Sequence, residues 1–432
     1  MRVLFVEPFG QHDGHPSVDS KRVTGALAEA EVNVTLVTFD GVRGDWAETH
    51  KLERHLSVIS QSGFFSWLPR LVLMMRKLLV TRLAAYFLES LLTLFLAARE
   101  CRKQDYDAVH VLDGVPVFTF LFPGALFTKN QNYVVNIHNP RGFWKLEGGF
   151  QKLKKSLRQR DYQDCLHLML FRVMQAKPMA LLDRFIYHRG MRGNSFHFIC
   201  HTKEIKESHK EYLDGVFYDK INVIPLGRKK LEQKAVSTRQ AREYLQLPQE
   251  AKIFLSFGTN HPGKNLEVIF QAAQDMPKNM YFIFVGKLVE SGKARDPVTL
   301  AQEYGWAENT VVVNQFISDE EKPYYFYASD AIFLSYIRSA TAYASVLNDA
   351  CQFQLPVIAS DVGQLGEDVT TYNLGITFIP EDPDSLRQAT VSFLSLTEAE
   401  ILALKANCRK FVSSFSTEDE ANRYMALYSE RA

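Results

Sequence analysis

The sequence of 432 residues predicts two doubly wound α/β domains in tandem. A single hydrophobic core stops growing at about 250–300 residues, so a chain of this length is expected to form two domains. Apolar residues make up 46% of the chain, beside 23 glycines and 16 prolines, which is typical of globular proteins. Short apolar runs alternate with helical stretches twice along the chain, and this alternation is typical of parallel sheets covered by helices.

The first domain is predicted over residues 1–230 and begins with a βαβ unit. Strand 3–6 is followed by a helix over 17–30 and by strand 32–38. These strands are continuous apolar runs, as expected for a sheet that is buried on both faces. Further strands are predicted at residues 108–112, 133–137 and 197–200.

The second domain is predicted over residues 231–410, because a polar, glutamine-rich segment around 231–251 precedes a new alternation that starts at Ile253. Its strands are predicted at residues 253–257, 281–285, 310–313, 331–334, 356–359 and 375–378. Residues 411–432 should form a terminal amphipathic helix, centred on 418–430, that packs back on the N-terminal domain. Doubly wound sheets bind ligands at the carboxyl ends of their strands, so one site is expected in a cleft between facing domains.

Composition and charge exclude several classes of protein. Lys plus Arg (50) nearly balance Asp plus Glu (49), so the net charge gives no sign of a nucleic-acid partner. The five cysteines are scattered without a Cys-x-x-Cys pair, which favours reduced thiols over disulfides or zinc. The first apolar run is too short for a signal peptide, and no run reaches the about 18 uncharged apolar residues of a spanning helix. We therefore expect a cytoplasmic protein, soluble or peripheral to a membrane.

The stretch from Phe254 to Leu266 has the pattern of an anion site. A predicted strand ends at Gly258, and Lys264 stands where the next helix is expected to begin. The Lys264 ammonium and the helix N-terminus can converge on an anion such as a diphosphate. The alternative is a solvated lysine at the end of an ordinary loop.

A second stretch places small residues, 339–345, between a strand and a helix. Such a loop lets backbone N–H groups approach a phosphate closely. Asp349 falls one turn inside the helix, where it can accept hydrogen bonds from ribose hydroxyls. The alternative is a carboxylate on the helix surface.

Four motifs together resemble a known family. They are Lys264-Asn265-Leu266, the run at residues 355–360, Gly363 with Glu367, and Asn373-Leu374-Gly375. These motifs are similar to the C-terminal half of the retaining glycosyltransferases of family four, the glycosyl transferases group 1. That family has the GT-B architecture, in which two Rossmann-like domains face each other across a cleft. The resemblance covers about residues 253–386 and is looser before them.

The resemblance implies a nucleoside-diphosphate sugar as co-substrate, bound by the second domain. Asp349 would take the place of the ribose-binding glutamate of the family, and His138 resembles the histidine that faces the transferred sugar. Gly14 would let the donor phosphates approach the first loop. The remaining donor-binding residues implied by the resemblance are Gly258, Thr259, Lys264, Ala344, Ser345 and Val346.

The implied reaction is sugar transfer with retention to a glycan or a lipid-linked glycan, in polysaccharide or glycolipid biosynthesis. The leaving diphosphate would help to deprotonate the acceptor hydroxyl, while the protein positions the reactants. Such enzymes need no divalent metal, and we expect no metal and no cofactor beyond the nucleotide sugar.

Two departures from the family pattern support an alternative. Thr259 stands where the family has an arginine for the diphosphate, and Thr341 stands where it has a glutamate beside the transferred sugar. An unreplaced charged contact to phosphate costs about 2–4 kcal/mol. Arg338, His261 and Arg228 are candidates for a compensating charge. The alternative is a catalytically silent GT-B protein that acts as partner or scaffold of another transferase, whereas an oxidoreductase is disfavoured because residues 7–14 lack Gly-x-Gly-x-x-Gly.

Two segments suggest contact with an anionic membrane surface. Residues 67–99 are apolar with interspersed arginines, as in helices that lie in a headgroup layer. Residues 152–160 are basic, and each cation near such a surface contributes about 1 kcal/mol. The alternative is that 67–99 supplies core helices and that 152–160 is a solvated helix face. Neither run carries the interleaved aromatic residues of a nucleic-acid site.

Overall fold

The computed structural model describes residues 1–7, 15–39, 55–60, 79–112, 132–137, 181, 184, 188, 195–212, 214–228, 236–277, 279–289, 294–338 and 344–430. The chain folds into two compact units, one formed by Met1–Gly227 with Thr417–Ala432 and the other by Arg228–Ser416. The sequence-based boundaries lie at residues 230 and 410.

The described residues of the first unit form a sheet of parallel strands. In chain order these are β1 (Arg2–Glu7), β2 (Asn33–Thr38), β3 (Leu56–Ile59), β4 (Ala108–Val111), β5 (Asn132–Asn136), β6 (Ser195–Cys200) and β7 (Ile221–Val223). They lie in the order β3-β2-β1-β4-β5-β6-β7. The described helices between them include α1 (His15–Glu29), α2 (Leu79–Cys101) and α3 (Lys203–Tyr212), with a 3₁₀ turn at Tyr218–Lys220.

The second unit repeats this architecture. Its strands are β8 (Lys252–Phe257), β9 (Met280–Val285), β10 (Thr310–Val313), β11 (Ala331–Leu334), β12 (Val357–Ser360) and β13 (Gly375–Phe378), in the order β10-β9-β8-β11-β12-β13. Its helices are α4 (Thr238–Tyr244), α5 (Glu267–Ala273), α6 (Pro297–Glu303), α7 (Lys322–Ala328), α8 (Ser345–Gln352), α9 (Gly363–Thr371), α10 (Pro383–Leu394) and α11 (Glu398–Ser413), with a 3₁₀ turn at Ala307–Asn309. All registered strand pairs in this sheet are parallel. The predicted fold class, two doubly wound α/β domains, is confirmed for each unit by itself.

Alternate side chains of β8 pack on opposite faces of the second sheet. Ile253, Leu255 and Phe257 belong to one buried cluster, whereas Phe254 stacks on Phe333 in the other, with ring centroids 5.0 Å apart. Because both faces are covered, the strand is apolar along almost its whole length. This explains why the second domain could be recognised from short apolar runs.

The predicted strands are all present, with ends that differ by at most two residues. Strands β3 and β7 were not predicted. Both lie at the edges of the first sheet, and the side chains of β3 are half-buried or exposed. An edge strand with this burial lacks the apolar run by which buried strands are recognised.

The C-terminal helix α12 (Thr417–Ser429) is part of the first unit and packs against α1. The Glu420 carboxylate is buried, pairs with Arg22 and accepts a hydrogen bond from the Gly227 N–H at 2.8 Å. The Tyr428 hydroxyl lies 2.6 Å from Nδ1 of the buried His110. These polar contacts fix the helix to the sheet of its unit.

The predicted membrane segments are only partly described. In residues 88–101 of α2, Leu94, Ala97 and Cys101 belong to the core of the first unit, while Phe95 is exposed. This part of the segment follows the core-helix interpretation. Residues 67–78 and 152–160 lie outside the described residues, and membrane contact through them stays a prediction. No helix in the described part of the chain is long and apolar enough to cross a membrane.

The cysteines follow the prediction where they are described. Cys101, Cys200, Cys351 and Cys408 are buried and carry free thiols. Burial raises the pKa of the Cys101 and Cys200 thiols to about 12, so both stay protonated at neutral pH.

Candidate functional site

The predicted site residues of the second unit gather at its topological switch point. Strands β8 and β11 are neighbours in the sheet, and the order of strands runs outward in opposite directions from them. Doubly wound sheets bind ligands at the carboxyl ends of two such strands. The loops that follow β8 and β11 are joined by backbone hydrogen bonds, from Asn265 N to Ser335 O at 2.7 Å and from Ile337 N to Gly263 O at 3.1 Å. These hydrogen bonds hold the two loops together at the candidate site.

Lys264 is a buried cation at this switch point. Its side chain is 9% exposed, and its ammonium donates a hydrogen bond to the carbonyl oxygen of Phe257 at the end of β8. No carboxylate pairs with it among the residues that the structure describes. Burial lowers the pKa of Lys264 to about 7. An ammonium buried without a counterion is unfavourable, so an anion that reached it would be bound strongly.

Gly258 brings the loop backbone against this lysine. Its φ is +91°, and a Cβ at this position would lie 3.1 Å from Nζ of Lys264 and 3.2 Å from Cγ2 of Val346. Any larger residue would displace the lysine or the start of α8. Three of the predicted donor residues, Gly258, Lys264 and Val346, thus meet at one point.

Gly286, which ends β9, was missed by sequence reasoning. A Cβ on it would lie 2.3 Å from the carbonyl oxygen of Gly258, so the two strand ends touch backbone to backbone. The φ of Gly286 is +138°, which also favours glycine. The only sequence signal was a glycine directly after an apolar run, as at Gly258.

Helix α8 points an uncapped N-terminus toward the site. Its N-cap, Ala344, makes no side-chain hydrogen bond to the first turn. Ser345 is exposed, and Val346 contacts the Gly258 position. The first N–H groups of a helix lack partners within the helix and carry partial positive charge. They can receive an anion that Lys264 also contacts.

Asp349 lies one turn inside α8, as predicted, and its side chain is 24% exposed. Oδ1 of Asp349 lies 3.7 Å from Nζ of Lys322, which is carried by α7. Burial raises the pKa of the Asp349 carboxyl, and the nearby Lys322 ammonium opposes this rise. Lys322 was missed by sequence reasoning because its approach depends on how α7 packs.

One expectation about the first motif is wrong. Helix α5 begins at Glu267, not at Lys264, and the Glu267 carboxylate in its first turn pairs with Arg295 at 2.6 Å. Lys264 instead forms a backbone bridge with Tyr336 in the loop after β11. The cation is therefore held by contact between two loops and not by the start of a helix.

The candidates for a compensating charge have different surroundings. Arg228 is buried over the ring of Phe411, with 3.6 Å from its guanidinium carbon to the ring centroid, and donates to the carbonyl oxygen of Phe411 at 2.6 Å. It therefore serves the packing of α11. The side chain of Arg338 is 68% exposed and lies 3.9 Å from Glu381. Nδ1 of His261 accepts a hydrogen bond from Gly263 N at 3.1 Å.

Several predicted residues cannot be placed at the site. Gly14, His138 and Thr341 lie outside the described residues. Thr259 is exposed and directly follows Gly258. Among the described residues, no group of three or more His, Cys, Asp or Glu side chains can hold a metal ion.

Solved structures share this fold over nearly the whole chain. Sucrose-phosphate synthase from Thermosynechococcus elongatus has a TM-score of 0.69 at 19% identity, covering 99% of this chain and 98% of its own. The HepE protein of Anabaena in complex with UDP has a TM-score of 0.69 at 13% identity, covering 99% and 100%. A glycosyltransferase from Rickettsia africae has a TM-score of 0.64 at 16% identity, covering 99% and 97%. No curated protein matches the chain in sequence.

The two parallel α/β units and these neighbours define a protein of the GT-B fold. Within it, residues 237–410 match the family of glycosyl transferases group 1. The matched residues contain the switch point with Gly258, Lys264 and Asp349.

Proposed function

We propose that the protein is a glycosyltransferase that takes a sugar from a nucleoside-diphosphate sugar and transfers it with retention to a glycan or a lipid-linked glycan. The observation that carries the proposal is the buried Lys264 at the switch point of a group 1 domain, with no carboxylate partner among the described residues. A diphosphate is the anion that the family binds at the corresponding position.

The diphosphate would lie between Lys264 and the uncapped start of α8. Lys264, once protonated, supplies a full charge, and the N–H groups of Ser345 and Val346 supply aligned dipoles at the same place. Gly258 keeps this space free of a side chain. The arrangement suits the leaving group, because charge develops on the diphosphate as the glycosidic bond of the donor breaks.

The ribose would lie further along α8, against Asp349. An ionised carboxylate accepts charge-assisted hydrogen bonds from hydroxyl groups, which are stronger than bonds between neutral groups. One helical turn separates Val346 from Asp349, or about 5 Å along the helix axis. This separation is comparable with that between the phosphates and the ribose hydroxyls of a nucleotide. The UDP in the structure of the Anabaena HepE protein makes UDP one of the nucleotides to test.

The chemistry follows from position and charge. The leaving diphosphate would stay on the face from which the acceptor approaches, and its oxygen would take the proton of the incoming hydroxyl. The new bond then forms on the side from which the old bond leaves, which preserves the configuration of the anomeric carbon. His138 would hydrogen-bond the transferred sugar, and Gly14 would leave room for the donor phosphates. The protein's part is to position donor and acceptor and to stabilise the leaving charge.

The proposed setting is the cytoplasmic face of a membrane, with a lipid-linked acceptor in polysaccharide or glycolipid synthesis. The basic residues 152–160 support this proposal, because a run of cations is attracted to an anionic lipid surface. Binding to vesicles with and without anionic lipid, compared at low and high salt, tests this part separately from transfer.

A donor-consumption assay tests the proposed reaction. The chain is incubated with UDP-, GDP- and ADP-sugars in the presence of a detergent extract of lipid-linked glycans, and the free nucleoside diphosphate is measured. We expect one donor to be consumed, about 100-fold more slowly by Lys264→Met. Lys252→Met is the matched control, because Lys252 lies at the amino end of β8, is 53% exposed and pairs with Asp330 at 3.7 Å. The anomeric configuration of the product, read by NMR, tests retention.

A second candidate is a catalytically silent partner or scaffold of another transferase. Thr259 favours it, since this neutral side chain stands where the family has a phosphate-binding arginine. This candidate predicts that a folded sample consumes no donor. It would be preferred if none of the donors were consumed while the chain still bound a second transferase.

A further inference from the structure

Lys322 is a cation that the group 1 resemblance does not assign. It is the first residue of α7, its side chain is 16% exposed, and its ammonium lies between two carboxylates. Oδ1 of Asp319 is 2.8 Å from Nζ, and Oδ1 of Asp349 is 3.7 Å from it. Asp319 is 67% exposed, whereas Asp349 is 24% exposed. Lys322 therefore links an exposed carboxylate to the one at the candidate site.

The packing of helix α7 places Lys322 in this position. The ring of Phe326, one turn further on, lies 4.9 Å from that of Phe257 at the end of β8 and is stacked 4.6 Å from that of Phe353 at the end of α8. Pro323 follows Lys322 and fixes the backbone at the start of the helix. Ile317, in the preceding loop, shares a buried cluster with Val346. The helix that begins with Lys322 thus packs against β8, which precedes Gly258, and against α8, which carries Asp349.

The attraction between Lys322 and Asp349 favours charge on both groups. Burial alone would lower the pKa of Lys322, but attraction to Asp349 and the hydrogen bond to Asp319 together raise it. The same attraction opposes the rise that burial imposes on the pKa of Asp349. Nζ of Lys322 and Oδ1 of Asp349 form an ion pair at 3.7 Å, and the ammonium has three N–H donors. This is one donor more than the two carboxylates need, so the ammonium can also donate to a ligand.

We infer that Lys322 is a specificity-determining residue of the nucleotide site, which holds the Asp349 carboxylate in place and, with it, selects a ribose diol. This inference rests on the proposed function, since it specifies which part of the donor the pair contacts. Asp349 accepts a hydrogen bond from one ribose hydroxyl, and the ammonium donates to the neighbouring hydroxyl oxygen. A donor beside an acceptor matches a vicinal diol, in which each oxygen both donates and accepts. A deoxyribose leaves one member of the pair without its partner.

The test compares affinities for ribo- and deoxyribonucleotides. The nucleoside diphosphate that binds best among UDP, GDP and ADP is titrated beside its 2′-deoxy and 3′-deoxy counterparts. We expect at least one deoxy form to bind about tenfold or more weakly to the wild-type chain, because it leaves a charged group unpaired. Lys322→Met and Asp349→Asn should each reduce this ratio of dissociation constants to about threefold or less. In the double variant the ratio should fall no further than in either single variant.

Two further variants separate a specific role of Lys322 in the site from a general loss of structure. Lys322→Arg keeps the charge and should retain the wild-type ratio, whereas Lys252→Met removes a lysine with the same 3.7 Å distance to an aspartate but at the other end of β8 and should leave the ratio unchanged. If Lys322→Met left the ratio of the two dissociation constants unchanged, whether or not both nucleotides bound more weakly, the inference would be wrong. If the wild-type chain bound no nucleoside diphosphate, the proposed function itself would fail first.

Discussion

Lys264 should take up a proton when a nucleoside diphosphate binds. Burial lowers the pKa of Lys264 to about 7 in the free protein, from an ordinary value of 10.5. A diphosphate beside the amine favours the charged form and raises this pKa again. At pH 8 the free amine is about nine-tenths neutral, so binding should draw about 0.9 proton from solution. The affinity should fall as the pH rises.

The size of this fall follows from the same titration. Each pH unit above the pKa lowers the protonated fraction about tenfold, or ~1.4 kcal/mol of binding free energy. From pH 7 to pH 9 the affinity should therefore fall roughly 50-fold, provided that the amine stays charged in the complex. The terminal phosphate of the nucleotide ionises near pH 6 and hardly changes charge in this range.

Calorimetry in two buffers of different ionisation enthalpy measures the proton uptake directly. The observed binding enthalpies at pH 8 should differ by about 0.9 times the difference between the buffer enthalpies. In Lys264→Met the difference should vanish, together with most of the affinity. A wild-type chain that bound nucleotide with equal affinity at pH 7 and pH 9, without buffer dependence, would refute the role of Lys264.

The same group affects the stability of the free protein, and the sign is opposite to that of an ordinary ion pair. The folded-state pKa is lowered, so between about 7 and 10.5 the unfolded chain binds more protons than the folded chain. The contribution of Lys264 to the free energy of unfolding should therefore rise with pH across this window. Urea denaturation of wild type and Lys264→Met at pH 7 and pH 9 checks this, and an equal pH dependence in both would contradict it.

Further predictions concern glycine and tyrosine contacts. Gly258→Ala should weaken nucleotide binding, because its Cβ meets Lys264 and Val346. Gly305 also has a positive φ, +69°, but a Cβ there would have no neighbouring atom within 4 Å, so Gly305→Ala should cost only backbone strain of about 1 kcal/mol and leave binding intact. Equal binding losses in calorimetry would contradict this. Tyr428→Phe should lower the free energy of unfolding by about 1–3 kcal/mol, since it removes the buried 2.6 Å contact between the Tyr428 hydroxyl and His110. The control Tyr244→Phe changes an exposed side chain and should alter the free energy of unfolding little. Equal midpoints in urea denaturation would argue against that contact.

The sequence predicts those features that are encoded locally. Strand β8 is a continuous apolar run, and the glycine and lysine that follow it are near enough in sequence to be recognised as one loop. Asp349 could be placed one turn inside a helix because small residues precede that helix and an apolar run follows it. The fold class follows from the repetition of such segments. For the same reason, the first and second domains could be recognised without any contact between distant residues.

The parts that could not be predicted depend on packing between distant segments. Lys322 lies near Asp349 because Phe326 packs α7 against the ends of β8 and α8. No pattern within either segment predicts this contact. The sequence makes Arg228 a candidate for a compensating charge, whereas the fold places it against the ring of Phe411. Gly286 matters only because two strand ends touch. In each case the relevant partner is far away in the sequence.

Titration calorimetry with UDP, GDP and ADP is the most direct test of the central claim that the group 1 domain binds a nucleotide sugar through Lys264. We expect the wild-type chain to bind at least one of the three, and Lys264→Ala to lose this binding while remaining folded by circular dichroism. Absence of binding by all three nucleotides to a folded wild-type sample, or undiminished binding by Lys264→Ala, would contradict it.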